Sequence, residues 1–456
     1  MAENSFLCGV AEGFYGRPWS ARQRRQLFAW MRSWRMNTYL YAPKDDLKHR
    51  TLWRARYTER EAGELRDLMR ECRNQGLGFI YAIAPGLDIR YSRKKEAAAL
   101  RRKASQLLTL GCRQFALLFD DIQPVLSDGD ARAFDSTAAA QARVANDLLD
   151  FLRGQAPATG LFFCPTAYCQ RMSGPPRRSD YLQQLGKLLD PAIQVFWTGP
   201  EIVSETITAE SIRELRQSLR RKPVIWDNLH ANDYDQRRVY LGPYAGRPAA
   251  LREETNGILS NPNCELEANY IPLLTLARYA RARGAWNPRR AYQAGLRSWL
   301  PRWETHGSKG ISIREIELLG DCFFLPLRLG PRGQAFLTDF RLLLGQLPGN
   351  WRAASRRIER SCSEIIGLFD KMTALKNREL LYALYRHVWE LREEAILLRN
   401  YSRWLKSDPR RGGRFSAPEY RPGIFRGGLA AQFQRLLPMD EAGRFGHLPT
   451  VPTTRS

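Results

Sequence analysis

A (β/α)8 barrel followed by an all-α helical bundle is the architecture this chain predicts, and three observations predict it. Eight short apolar segments recur through the first 265 residues, amphipathic segments separate them, and beyond residue 305 the strand pattern stops. Near-continuous apolar strands alternating with helices mean a parallel sheet covered on both faces, and eight such units in roughly 250 residues match a closed barrel. The length of 456 residues leaves room for a second domain, so a barrel over 1–305 and a helical bundle over 306–456 are expected.

The strand segments, in order, are FLCGVAEG, NTYLYAPKDD, GFIYAIAPG, FALLFDD, LFFCPTAY, IQVFWTGP, PVIWDNLHAND and GILSNPN. Between them lie ARQRRQLFAWMRSW, EREAGELRDLMRECRNQ and KKEAAALRRKASQLLTLG, which carry helical periodicity. Thr58 and Glu61 form a capping box at the start of the second of these, and Ser312 with Glu315 form another before EIELLGDCFFLPL. NRELLYALYRHVWELREEAILLRNYSRWL predicts one long amphipathic helix. In LAAQFQRLL, the residues Leu429, Ala430, Phe433, Leu436 and Leu437 share a face; Pro438 ends the segment and Gly427-Gly428 loosens the chain before it.

Composition narrows the function. Apolar residues make up 44%, ordinary for a globular protein, but 71 Lys+Arg against 47 Asp+Glu leave a net charge of +24. Such a surface attracts polyanions. A solvated arginine surface is the plainer account, because no zinc-finger spacing, RNP-like strand or long basic helix accompanies the charge, and nucleic acid is not expected as a partner. The N-terminus MAENSFLCGV lacks a secretory pattern, and no run of about 18 apolar residues predicts a membrane span. The eight cysteines are scattered without a CxxC pair, as expected of reduced thiols in the cytoplasm. Five histidines fall in no HExxH or Ser-His pattern, and neither a Walker A sequence nor a GxGxxG after a strand occurs, so no cofactor or metal is expected.

Polar residues sit at the C-terminal ends of the strands: Gly13, Lys44, Asp88, the pair Asp120–Asp121, Tyr168, Trp197, Asn228 with Asp233, and Asn261. In a barrel these ends converge on one mouth, where the active site lies. Adjacent strand residues point to opposite faces, so the strand must end near Asp120 if both aspartates are to reach the mouth. There they would titrate as a coupled pair, which suits an acid beside a base. Glycoside hydrolysis fits a carboxylate pair in an aromatic-lined mouth. In the usual retaining geometry, however, acid and nucleophile flank the sugar about 5–5.5 Å apart. Consecutive residues approach from one side. The nucleophile then comes from elsewhere: a 2-acetamido group on the substrate, or a protein carboxylate such as Asp233 or Glu265.

Laid out in order, GVAEGFYGRPW, NTYLYAPKDDLKHR, FIYAIAPGLDI, FALLFDDI, FCPTAYC, WTGP, VIWDNLHANDYDQ and NPNCELEANY resemble glycoside hydrolase family 84, the O-GlcNAcases, and LLGDCFFLPL, LGPRG and FRGGLAAQFQRLLP extend the resemblance to the C-terminus. It implies a retaining enzyme that works by substrate assistance through an oxazoline. On that pattern Asp120 polarises the acetamido N–H and Asp121 is the acid and then the base. Tyr168 donates to the acetamide oxygen, and Trp226 walls the acetamido methyl. Asn228, Asp233 and Asn261 bind sugar hydroxyls and acetamide, while Lys44 and the backbone of Gly13 complete the cradle. Tyr15, Trp197 and Cys164 line the mouth or pack beneath it, and Asp45 and Asp46 support Lys44. The resemblance further implies O-GlcNAc-modified proteins or peptides as partners and a homodimer whose last helix is exchanged between subunits. The insert of the animal enzymes shrinks here to about HGSKG, as expected of a compact bacterial version. A β-hexosaminidase acting on glycans or hyaluronan is the enzymatic alternative, and a catalytically silent glycan-binding barrel the other; intact Asp120, Asp121 and Tyr168 argue against the latter.

Overall fold

The computed structural model describes residues 6–347, 349–407, 415, 417 and 428–436. Eight parallel strands close into a barrel in sequence order: β1 (Leu7–Glu12), β2 (Thr38–Tyr41), β3 (Gly78–Ile83), β4 (Gln114–Leu118), β5 (Gly160–Cys164), β6 (Gln194–Trp197), β7 (Val224–Asp227) and β8 (Gly257–Ser260). Every one falls inside an expected segment or within one residue of it. β1, β2, β7 and β8 are buried at every position, as strands covered on both faces must be. Registration is tight at β1–β2, where Gly9 pairs with Thr38 and a Cβ on Gly9 would lie 1.8 Å from the Thr38 carbonyl oxygen. Inside the barrel, Ala11, Ala82 and Ala116 make room for Phe162 and Phe196, whose rings stack at 5.4 Å. Burying each such side chain is worth about 1.5–3 kcal/mol.

The first outer helices are Ala21–Ser33, Glu59–Asn74 and Lys94–Thr109. The Thr58–Glu61 capping box is formed, and Ser20 with Gln23 makes a second one on the preceding helix. Leu27, Phe28, Trp30 and Met31 are the buried residues of that helix.

The chain divides into two compact units, the first comprising Met1–Asp233, Tyr244–Cys264 and Leu276–Asn287, the second Tyr234–Pro243, Glu265–Thr275 and Pro288–Ser456. The second unit thus draws Tyr234–Pro243, Glu265–Thr275 and the start of Pro288–Ser456 from within the first 305 residues. It is helical, with Ile313–Cys322, Pro331–Leu343, Trp351–Met372, Arg378–Lys406 and Gly428–Leu436 among its elements. The Ser312–Glu315 capping box opens the first of these, and Lys371 pairs with Glu315 at 2.8 Å. Helix Gly428–Leu436 buries Leu429, Ala430 and Phe433, and Phe433 packs edge-on against Phe336 and Phe340 at 5.0 and 5.1 Å. Gly427, Leu437 and Pro438, assigned to the same motif, lie outside the described residues. Among the described residues no helix is long and apolar enough to cross a membrane.

Candidate active site

β4 ends at Leu118, and one more amide, that of Phe119, donates to the Cys164 carbonyl at 3.0 Å before the chain leaves the sheet. Two residues later Asp121 adopts a left-handed backbone, φ +53°. Asp tolerates this region better than most side chains, though at a cost of about 1–3 kcal/mol. The turn is the device that frees two consecutive carboxylates from opposite faces of a strand. Arg50 pins it, donating to the carbonyls of Asp120 (3.4 Å) and Asp121 (3.3 Å).

The two carboxylates then meet different neighbours. Asp120 Oδ2 takes the Lys44 ammonium at 2.5 Å, with the Arg50 guanidinium at 3.9 Å. Burial alone would raise the Asp120 pKa, but Lys44 and Arg50 outweigh it and hold the group below the usual carboxylate range. Its other oxygen, Oδ1, is buried with no hydrogen-bond partner among the described residues. Asp121 instead accepts from two phenols, Tyr168 at 2.8 Å on Oδ1 and Tyr15 at 2.9 Å on Oδ2. Burial and the Asp121 charge both push those phenols up, so they remain donors at any physiological pH. Behind Asp120, burial and the nearby Lys44 charge push His49 down to about 4, and the neutral ring engages the Ala82 carbonyl through Nδ1 at 2.7 Å.

The remaining expected ligands gather on the β7 and β8 side. Asp233 accepts from the Tyr15 amide at 2.9 Å. Asn261 Nδ2 donates to Asn228 Oδ1 at 3.0 Å, and Asn228 Nδ2 to the Ile202 carbonyl at 2.8 Å, leaving Asn261 Oδ1 as another buried acceptor of this site without a partner among the described residues. Trp226 lies edge-on to Phe196 at 5.4 Å. Gly13 packs against the Trp226 ring so closely that a Cβ there would meet it at 2.2 Å, so a residue with a side chain would displace the indole. Lys44 also sits 5.8 Å from the Tyr15 ring centre.

Some expected neighbours are placed elsewhere. Asp46 does not support Lys44: its Oδ2 is occupied by the hydroxyls of Tyr41 (2.9 Å) and Tyr57 (2.6 Å), while Asp45 is exposed. Asp88 turns to Trp53 Nε1 (2.8 Å) and Arg54 (2.6 Å). Trp197 and Cys164 are buried. Glu265, weighed as a nucleophile, falls in the second unit with Arg386 at 3.8 Å. Among the described residues no group of three or more His, Cys, Asp and Glu could hold a metal ion.

The barrel sequence matches the NAGidase family, beta-N-acetylglucosaminidase, over residues 8–307. The chain belongs to the beta-N-acetylglucosaminidase family. Rattus norvegicus Protein O-GlcNAcase is 30% identical over 657 aligned positions, covering 99% of this chain and 71% of that protein. That alignment is longer than the chain, so the rat protein carries inserted residues within the matched span. A mutant O-GlcNAc hydrolase of Thermobaculum terrenum superposes with a TM-score of 0.74 at 26% identity, covering 88% of this chain and 83% of that one. CpGH84B shares the fold, with a TM-score of 0.76 at 23% identity over 88% of this chain and 69% of its own. These similarities bear out the resemblance to glycoside hydrolase family 84. The molecule is a glycoside hydrolase of the family, with β-N-acetylglucosaminidase activity.

Tyr15, Arg50 and His49 are the site residues that sequence reasoning undervalued or missed. Tyr15 ties Asp121 to Asp233 through its hydroxyl and its amide. A signal for the other two existed: KHR follows Lys44 closely, in a stretch that must leave the strand for the mouth.

Proposed function

We propose that the chain is a retaining exo-β-N-acetylglucosaminidase that removes O-linked GlcNAc from Ser and Thr of proteins, with the substrate's own acetamide as nucleophile and an oxazoline as intermediate. The observation that carries this reading is the unequal pair at the end of β4. Both carboxylates stand at one strand end, so neither is suited to attack from the far face of the sugar. One, Asp120, is ionised by Lys44 and keeps a buried acceptor open, which is what an amide N–H needs. The other, Asp121, is held by two neutral donors.

In the first step the acetamide oxygen attacks the anomeric carbon while Asp120 accepts the amide N–H. Asp121 gives its proton to the departing Ser or Thr oxygen. Tyr168, turning from Asp121 as substrate enters, donates to the acetamide oxygen region. In the second step the Asp121 carboxylate takes a proton from water, which attacks the same carbon and reopens the oxazoline. Two inversions give net retention. Asp233, Asn228 and Asn261 hold hydroxyls and acetamide, Trp226 walls the methyl, and Lys44 and the Gly13 backbone complete the cradle.

The reading extends to a homodimer in the cytoplasm, with a catalytic domain over 1–305 and a bundle over 306–456 whose last helix is exchanged. An exchanged helix keeps its socket whichever copy supplies it. The packing of Phe433 against the rings of Phe336 and Phe340 supports this reading, since a second copy's helix could make the same contacts.

The test is Asp121→Asn assayed on a Ser-O-GlcNAc peptide and on an activated aryl N-acetylglucosaminide. Loss of a general acid should cost about 10²–10⁴ on the peptide and much less on the aryl compound, whose leaving group needs little protonation. Equal losses on both would remove Asp121 from the acid role.

A further inference from the structure

A cavity of about 530 Å³ opens beside Asp121, within the size range of ligand pockets. Asp121 is part of its wall, whereas Asp120, Trp226, Asn228, Asp233 and Asn261 are not. A general acid touches the glycosidic oxygen, so a space that shares the acid but none of the sugar ligands begins at the leaving group. We infer that this cavity is the aglycone subsite, that it takes a peptide segment, and that it selects against acidic aglycones. The inference rests on Asp121 being the acid.

The charge of the walls supports the selection. In a chain of net charge +24, the described lining carries two carboxylates, Asp121 and Asp180, and neither Lys nor Arg. Two helices, Thr137–Gln155 and Asp180–Leu188, begin at the cavity, and bare N-termini would favour an anion there. Both are already answered: Ser136 accepts from the Ala139 amide at 3.1 Å, Ser179 from the Leu182 amide at 3.4 Å, and Asp180 occupies the first turn of its helix. A cavity closed to anions in this way admits neutral or cationic residues and disfavours a uronate-bearing glycan.

The surfaces favour peptide over sugar. Ile122 and the half-exposed Met172 offer aliphatic and thioether contact, and Thr137 a hydroxyl beside them, a mixture suited to an extended chain with varied side chains. Pyranose rings are commonly held on an aromatic face. Tyr181 is the aromatic residue of the described lining, and it is tied into the wall: its hydroxyl donates to Gln141 Oε1 at 2.5 Å and accepts from the Thr166 amide at 2.9 Å.

The experiment compares kcat/KM of the wild type, Thr137→Trp and Asp180→Lys on an aryl N-acetylglucosaminide, on GlcNAc-Ser peptides flanked by Lys or by Glu, and on a GlcNAc-containing disaccharide, with Tm recorded for each protein. Filling the cavity with Trp should lower the peptide-to-aryl ratio about tenfold. The wild type should prefer the Lys-flanked peptide by about threefold, as expected for a solvent-exposed charge pair, and Asp180→Lys should erase that preference. An unmoved ratio and no charge preference, with aryl hydrolysis intact, would overturn the inference alone. A Trp variant that loses the disaccharide but keeps the peptides would overturn the peptide assignment in favour of a sugar. A wild type inactive on every probe would overturn the catalytic reading and this inference with it.

Discussion

At the end of β1, Glu12 accepts from the Trp19 amide (3.0 Å), from Arg24 on both oxygens (2.7 and 2.9 Å) and from the Tyr39 hydroxyl. At the end of β7, Asp227 accepts from the Leu229 amide (3.1 Å), the Tyr244 hydroxyl (2.7 Å) and two nitrogens of Arg247 (2.7 and 2.8 Å). Just past β4, Asp120 has Lys44 on one oxygen and, among the described residues, no hydrogen-bond partner on the other. All three are carboxylates desolvated at strand ends of one barrel. An unpaired buried acceptor costs about 1–3 kcal/mol, and at Glu12 and Asp227 the fold avoids that cost completely. It accepts it at Asp120, and again at Asn261 Oδ1. Saturated carboxylates hold the barrel together; the open one has an acceptor that no donor among the described residues satisfies.

The sharpest way to break this contrast is to remove a saturated member. Asp227→Ala leaves the fully buried Arg247 guanidinium without its counter-charge. Breaking such a pair costs about 3–5 kcal/mol, so urea unfolding should show a loss of that size. A loss below about 1 kcal/mol would mean that Asp227 is not structural in the sense argued, because exposed pairs are worth that little.

Asp120→Asn should behave in the opposite way. The amide keeps an oxygen for Lys44, so stability should change less than at Asp227, but it can no longer offer an ionised acceptor to the substrate N–H. A fall in kcat of about 10²–10³ is expected, as for loss of a preorganised group in a desolvated site. It should be felt by aryl and peptide substrates alike, since Asp120 acts before the leaving group is distinguished. Unchanged rates on both would put the open oxygen outside the chemistry.

The contrast also explains what the sequence could and could not say. Strands buried on both faces must be nearly continuous apolar runs, so β1 to β8 were legible, and capping boxes such as Thr58–Glu61 are local enough to read directly. The pair Asp120–Asp121 was legible because a double carboxylate ending an apolar run is costly without a purpose. Its partners were harder. Asp46 follows Lys44 by two residues yet belongs to Tyr41 and Tyr57, because the chain turns away between them. Arg50 reaches the Asp120–Asp121 carbonyls across 70 residues, so its place after Lys44 hints that it lies near the mouth but does not name its partners. Tyr234–Pro243 and Glu265–Thr275 join the helical unit although they flank barrel segments, a partition set by tertiary packing and invisible to periodicity.

The smallest expected effect concerns His49, the group behind the open carboxylate. Burial and Lys44 hold it down at about 4, against about 6.5 in an unfolded chain. The folded state therefore favours neutral imidazole: its contribution is complete above pH 6.5 and is lost as pH falls from 6.5 towards 4, where the unfolded chain binds the extra proton. Asp120 has the same sign but a lower window, since a depressed carboxylate keeps its contribution until pH drops below the normal Asp range near 3.9. Between pH 6.5 and 4 the His49 effect should thus be separable. His49→Gln can still donate to the Ala82 carbonyl, so at pH 7 it should cost on the order of 1 kcal/mol, while the decline of Tm from pH 6.5 to 4.5 becomes shallower than in the wild type. Parallel Tm profiles for the two proteins would show that the imidazole titrates normally. The positive cluster of Lys44, which keeps Asp120 ionised, would then be weaker than the contrast between open and saturated carboxylates requires.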